Sequence, residues 1–242
     1  MPTKSKVGRI SILVLILGQA FIASACHKQV KLSGYNTPSV FTIEAEKKIE
    51  VQENYMETEP DYADFDKLMG VNPDTVGWLF IPGTKINYPI VQAADNDKYL
   101  HTGFNGEDNV AGTLFLDYES EADLSGRNNI IYGHNMKNGT MFRDLVQFKN
   151  QDFFEAHKYF QIYTSDRVIN LKAISCYYEK ADAGVRKTKF DSQEEYEQFV
   201  TKLIKKCPYA EVPDKPIKSI YTLITCSYEV YDARTYLIAV EE

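Results

Sequence analysis

Residues 219–241 have the sequence SIYTLITCSYEVYDARTYLIAVE, which contains two apolar runs separated by a short polar segment. Both runs are rich in β-branched and aromatic residues, so strands are predicted over 219–228 and 234–241. Two antiparallel strands with so short a connection bring the end of the first close to the start of the second. The sequence therefore predicts that Cys226 and Arg234 lie near each other at one rim of a sheet.

Further short β-rich runs lie upstream, bounded by turn residues. Helical periodicity occurs at 140–148, at 151–157 and most clearly at 192–207, where Ser192 is a favourable N-cap. A short N-terminal helix is predicted over 61–69. The pattern favours a mainly β fold, a closed barrel of about eight strands with inserted and N-terminal helices. The six upstream strands are predicted at 76–81, 86–92, 112–118, 129–133, 159–164 and 167–180.

Composition limits the classes of protein to which the chain can belong. Its 242 residues are 44% hydrophobic and include 13 Phe and 17 Tyr, enough for one folded domain and an appendage. The net charge of −7 and the lack of a basic stripe argue against a nucleic-acid partner. An acidic domain also binds anionic lipid poorly, so membrane attachment requires a dedicated segment.

Such a segment is predicted at the N-terminus, where Lys4, Lys6 and Arg9 precede an apolar run over 10–26. Three fates stay open: a retained anchor, cleavage after residue 25, or lipidation of Cys26 as in a lipoprotein. Each places residues 27–242 outside the cytoplasm. We therefore divide the chain into a signal or membrane-anchor segment (1–26), a polar stalk (27–60) and a folded domain (61–242).

The four cysteines, Cys26, Cys176, Cys207 and Cys226, show no paired spacing. A zinc site is therefore not expected, and neither a metal nor a cofactor site is evident elsewhere in the sequence. Cys176 and Cys207 are expected to be two buried thiols, although a disulfide between them stays open.

A histidine with a distinctive setting lies upstream, in the segment NIIYGHNM at 129–136. An apolar strand ends at a glycine and delivers His134 at a strand end, where a rigid sheet meets an accessible loop. Taken singly, His134, Cys226 and Arg234 each have an ordinary structural explanation: a loop-capping imidazole, a buried strand cysteine and a solvated charge. Their combination is much more specific.

That combination resembles the sortase family, whose signature is TLxTC followed by an arginine on the next strand, with a histidine upstream in a GH turn. The resemblance covers roughly residues 61–242 and extends to the class B branch of the family. One departure is Ile224, where class B members often carry serine, and it leaves the fine substrate preference open. Further class B features are NPDTVGW at 72–78, IPGTKINYP at 81–89, VQ at 91–92, YL at 99–100, GTLFLD at 112–117 and the helix predicted before the cysteine strand.

The resemblance implies a cysteine transpeptidase. It would cleave a sorting motif near the C-terminus of exported proteins, hold the acyl group as a thioester and pass it to an amine of the cell-wall precursor or to a pilin lysine. Cys226 would be the nucleophile, His134 the proton-transfer group and Arg234 the stabiliser of the oxyanion. The expected location is the extracytoplasmic face of the cell membrane of a Gram-positive-type bacterium, with attachment through residues 1–26.

Other cysteine enzymes fit less well. In L,D-transpeptidases the histidine closely precedes the cysteine, whereas His134 and Cys226 lie 92 positions apart. Papain-like enzymes place the cysteine before the histidine, the reverse of the order here. The alternative from another class is a non-enzymatic surface lipoprotein or binding module, for which Cys26 is the main support.

Overall fold

The computed structural model describes residues 64–242. The predictions for the N-terminal segment (1–26) and the stalk (27–60) lie outside the described residues. Over 64–242, none of the helices has the length and apolar character required to cross a bilayer.

Eight strands form a closed barrel in the order β1-β2-β3-β4-β7-β8-β6-β5, and β5 pairs with β1 to complete it. The mainly β fold and the closed barrel predicted from the sequence are confirmed. Two neighbouring pairs, β2–β3 and β4–β7, are parallel, and the others are antiparallel. The strands are β1 (Thr75–Phe80), β2 (Asn87–Val91), β3 (Leu114–Leu116), β4 (Asn128–Tyr132), β5 (Tyr159–Tyr163), β6 (Val168–Lys180), β7 (Ile220–Ser227) and β8 (Ala233–Glu241).

Within residues 64–242, three α-helices accompany the barrel: α1 (Phe65–Val71), α2 (Gln151–His157) and α3 (Gln193–Ile204). The predicted cap of α3 is present, because the Ser192 side chain accepts a hydrogen bond from the backbone of Glu195. Helix α1 begins and ends later than the sequence predicts, and it continues through Gly70.

The α-helix predicted over 140–148 is wrong in type. A 3₁₀ helix, Asp144–Lys149, lies there instead. Met141 has φ of 56°, in the left-handed region, and pairs with Asn135 in an isolated bridge, so an α-helix cannot begin at 140.

The core explains why β4, β7 and β8 are almost continuously buried. One face of these strands points into the barrel, where Ile131, Leu223 and Leu237 are fully buried. The opposite face packs under α3, where Ile130 and Ile238 belong to a second buried cluster. Both faces are covered, so the strands lose the apolar–polar alternation of a half-exposed sheet.

Candidate active site

Cys226 and Arg234 are directly paired residues of the β7–β8 ladder. Cys226 is the penultimate residue of β7, and it is partly exposed whereas the other residues of that strand are buried. Arg234 is the second residue of β8 and is likewise partly exposed. The buried parts of the two strands thus hold a thiol and a guanidinium at one open rim, as the sequence predicts.

The Arg234 guanidinium is held by the two residues that precede it in the chain. Its Nη1 forms an ion pair with the Asp232 carboxylate at 2.9 Å and donates a hydrogen bond to the Ala233 carbonyl at 3.0 Å. Asp232 has φ of 57°, a conformation that turns the chain back into β8. Both contacts use Nη1, so the remaining nitrogens can donate to a bound group.

His134 reaches the same rim because β4 runs parallel to β7, with Tyr132 opposite Ile224. The next residue, Gly133, is fastened to β7 from both sides: its N–H donates to the Ile224 carbonyl at 3.2 Å, and its carbonyl accepts from Thr225 Oγ1 at 2.7 Å. A Cβ at Gly133 would lie only 2.4 Å from the Leu114 side chain. Glycine is therefore required at the position that delivers His134.

The His134 ring is held by one hydrogen bond and one ring contact. Its Nε2 lies 2.8 Å from the Leu100 carbonyl oxygen. A carbonyl only accepts, so Nε2 carries the proton and Nδ1 is the nitrogen that exchanges protons with other groups. The ring also stacks against His101. Within residues 64–242, no hydrogen bond joins this ring to the Cys226 thiol.

Asn135 is part of this arrangement and was not predicted from the sequence. Its side-chain amide donates to the Cys226 carbonyl at 2.8 Å and accepts from Arg143 Nη1 at 3.2 Å. The residue is 7% exposed. It thus connects the loop after His134 directly to the cysteine strand. The feature of the sequence that could have identified Asn135 is its position directly after Gly133 and His134.

A cavity of about 470 Å³ opens on one side of Arg234. Ile224, Phe115 and Leu100 give it an apolar lining, and Asp97 and Asp182 are acidic groups of its lining. A second cavity of about 430 Å³ lies between Cys226, Arg234 and the β7–β8 loop. Since Arg234 lines both cavities, the guanidinium stands between them.

One wall of the larger cavity depends on a fully buried carboxylate, that of Asp117. Its Oδ2 accepts hydrogen bonds from Tyr132 at 2.7 Å, Asn96 at 2.9 Å and Arg186 at 3.2 Å. Burial and the Asp117 charge raise the pKa of Tyr132, so its hydroxyl stays a donor. The network fixes the segment around Arg186 beside the cavity.

The β7–β8 loop, residues 228–232, is fastened at its base. Lys149 donates to Ser227 Oγ at 3.3 Å and forms an ion pair with Glu229. Burial lowers the pKa of Lys149. The loop itself exposes Tyr228 and Tyr231 beside the cysteine.

The two remaining cysteines of the described region are not part of this rim. Cys176 and Cys207 are buried free thiols, as expected, and no disulfide joins them. No group of three histidine, cysteine or acidic side chains over 64–242 is placed to hold a metal ion.

A family model described as the sortase domain matches residues 79–242, more than half of the chain. The chain belongs to the sortase family. Sortase B of Listeria monocytogenes is 36% identical over 163 residues, which cover 67% of this chain and 66% of that protein. This chain thus spans just under two thirds of that relative's length.

Solved sortase B structures agree with this assignment. The structure from Clostridium perfringens is 36% identical, with a TM-score of 0.70, and the match covers 74% of this chain and all of that one. A Staphylococcus aureus sortase B–substrate complex is 27% identical, with a TM-score of 0.69, over 83% of this chain and 97% of that one. The predicted family and its class B branch are confirmed, whereas the cysteine transpeptidase activity stays a prediction for this chain. The individual roles of His134, Cys226 and Arg234 stay predictions.

Proposed function

We propose that this sortase cleaves a sorting motif near the C-terminus of exported proteins and transfers the acyl group to an amine of the cell-wall precursor or to a pilin lysine. One observation carries the proposal: a partly exposed thiol at Cys226 is paired in register with the Arg234 guanidinium. His134 stands at the same rim with Nδ1 free for proton transfer.

In the acylation step, His134 Nδ1 takes the thiol proton and the Cys226 sulfur attacks the carbonyl carbon of the scissile peptide bond. The oxygen of the tetrahedral intermediate becomes negative and accepts hydrogen bonds from Arg234. The C–N bond then breaks while the His134 imidazolium donates its proton to the departing amine. The products are a thioester at Cys226 and the released C-terminal fragment.

In the transfer step, the acceptor amine attacks the thioester carbonyl, and neutral His134 takes a proton from that amine. Arg234 again faces the oxyanion. The C–S bond breaks, the new amide leaves, and the sulfur departs as a thiolate that recovers the proton from His134. The net reaction exchanges one amide for another and consumes no cofactor.

The 470 Å³ cavity is our candidate for the sorting-motif site. It adjoins Arg234, and its apolar lining, which includes Ile224 and Phe115, suits an extended peptide with at least one apolar side chain. A homologous fold is known in a sortase B–substrate complex, which supports a peptide ligand for this family. Ile224 in place of the serine frequent in class B favours a less polar residue at the position it contacts.

We further propose that residues 1–26 attach the enzyme to the extracytoplasmic face of the membrane of a Gram-positive-type bacterium, and that 61–242 form its catalytic domain. The support is the basic flank and apolar run of the N-terminal sequence. The binding-module alternative leaves the Cys226–Arg234 pairing without a role, so we do not adopt it.

The full chain, incubated with a peptide library and an oligoglycine amine, tests this function. We expect a covalent adduct on Cys226 by mass spectrometry and amine-dependent product for a subset of peptides. Cys226→Ala should abolish both without changing the circular dichroism spectrum, whereas Cys207→Ala should keep both. A wild-type chain that neither forms an adduct nor cleaves any peptide would overturn the proposal.

A further inference from the structure

The imidazole rings of His101 and His134 are stacked, with centroids 6.1 Å apart and planes inclined by 24°. That geometry lies within the range of offset aromatic pairs. His101 is solvent-exposed and directly follows Leu100, whose carbonyl accepts the His134 Nε2 proton. Two consecutive residues therefore lie beside the same ring: the Leu100 carbonyl meets its Nε2 edge, and the His101 ring lies nearly parallel to it.

These two residues stand on a rigid support. They end the 3₁₀ turn Lys98–Leu100, whose central residue Tyr99 is buried. The Tyr99 hydroxyl lies 2.7 Å from the Asp74 carboxylate and 3.1 Å from Asn72, so the turn is tied to the segment between α1 and β1. At Gly112, with φ of 58°, a Cβ would lie 2.3 Å from the Tyr99 carbonyl oxygen. The turn has little freedom to shift.

The ring of His134 needs both contacts to have one orientation. A side chain with two rotatable bonds keeps rotational freedom when a single hydrogen bond holds it, since the N–H···O direction acts as a pivot. A flat neighbour that lies nearly parallel to the ring restricts that rotation. Where Nδ1 points is then decided by the stack as well as by the Leu100 carbonyl.

We propose that His101 is a positioning residue for His134. Its ring fixes the plane of the His134 imidazole, so that Nε2 stays bonded to Leu100 and Nδ1 faces the reacting groups. The proposal rests on the proposed function, in which Nδ1 transfers the proton. The stack requires a flat ring and no ionisable group, so phenylalanine should replace histidine at this position.

Kinetics of the full chain with a cleaved peptide and an amine acceptor test the role. We expect His101→Ala to lower kcat roughly 3- to 10-fold, the range that corresponds to loss of one aromatic pair, with KM changed less than about twofold. His101→Phe should restore kcat to within about twofold of wild type. His157→Ala is the matched control, because that imidazole bonds the Pro82 carbonyl on the β1–β2 connection. Thermal unfolding of each variant checks that the fold is intact.

Proton NMR of the histidine rings provides a readout independent of turnover. In wild type and His101→Phe, nuclear Overhauser contacts of the His134 ring protons should define a single ring orientation, whereas in His101→Ala they should be averaged over several orientations. Unchanged kcat and spectrum in His101→Ala would overturn the inference, and so would a failure of phenylalanine to rescue. If the wild-type chain transfers no acyl group, the proposed function fails, while the spectra still decide whether His101 orients His134.

Discussion

Cys226 and Arg234 occupy opposite positions in one antiparallel ladder, so their side chains extend from the same face of the sheet. The spacing of the two groups is set by backbone hydrogen bonds between β7 and β8, and not by the loop that joins them. The loop can therefore change conformation without separating the sulfur from the guanidinium.

Replacing Arg234 tests whether its donors act on the oxyanion. We expect Arg234→Ala to lower kcat/KM on the order of 10²- to 10³-fold, the usual effect of removing an oxyanion donor. Arg234→Lys should recover only part of this loss, because an ammonium lacks the planar fork of donors. Arg167→Ala, at the β5–β6 connection, is the control and should leave peptide cleavage unchanged. Full activity in Arg234→Lys would show that charge alone suffices.

Asn135 connects the loop after His134 to the cysteine strand through the Cys226 carbonyl. Asn135→Ala leaves that carbonyl and Arg143 without their partner, so we expect unfolding free energy to fall by about 1–2 kcal/mol. The rate of thioester formation should fall as well. Asn138→Ala removes an exposed amide from the same loop, one that bonds only to Thr140, and should cost less on both measures. Equal effects of the two variants in urea unfolding and adduct assays would contradict this role.

Thiol alkylation should distinguish the cysteines of the barrel. Cys226 is partly exposed, whereas Cys176 and Cys207 are buried, and burial raises the pKa of Cys176. Because the thiolate is the reactive form, we expect iodoacetamide to modify Cys226 alone among these three in the native chain, and all three in urea. Peptide mass mapping measures the sites, and Cys226→Ala provides the control. Native labelling of Cys176 as fast as of Cys226 would contradict the described packing.

The lowered pKa of Glu211 predicts that the stability of the fold depends on pH. Hydrogen bonds from Lys158 and Lys172 lower its pKa below the ordinary value of 4.5. A carboxylate with a lowered folded-state pKa stabilises the fold above about pH 4.5, and this contribution disappears as the pH falls through the folded-state value. Glu211→Gln should therefore lower the free energy of unfolding at pH 7 by less than about 1 kcal/mol, because the pair is partly exposed, with a corresponding drop in Tm. This deficit should shrink as the pH falls toward 3.

A Tm profile from pH 3 to 7 measures this difference. Glu197→Gln is the matched control, since its carboxylate bonds only the uncharged Gln193 side chain on α3. A Glu211→Gln deficit that persists unchanged at pH 3 would mean that the ion pairs are not its cause.

The strands and two of the three proposed catalytic residues could be predicted because their signals are local. β7 and β8 are long apolar runs, and a short connection between them places Cys226 beside Arg234 whatever the rest of the fold does. His134 was predictable from the strand that precedes it, although its distance from the cysteine depends on the parallel β4–β7 pairing. That pairing joins segments far apart in the chain, and here the family resemblance supplied what residue spacing alone does not.

What the sequence did not predict depends on contacts between distant segments. The Leu100 carbonyl that binds His134 is a backbone group, so this hydrogen bond cannot be predicted from residue type. The His101 stack and the Asn135 bond require the fold before they can be recognised. The segment that forms the 3₁₀ helix Asp144–Lys149 was predicted to be α-helical. Apolar periodicity does not reveal the positive φ of Met141, which pairs with Asn135 in an isolated bridge.

Closure of the barrel by the β5–β1 pairing also restricts how a polypeptide ligand can be recognised. Many peptide-binding domains accept their ligand by strand addition, in which an extended segment pairs with a free edge and backbone amides supply much of the affinity. A closed sheet presents no terminal strand for such growth. Discrimination among incoming polypeptides must then come from loops and side chains at the rim, which is where a few substitutions can alter ligand choice without disturbing the scaffold.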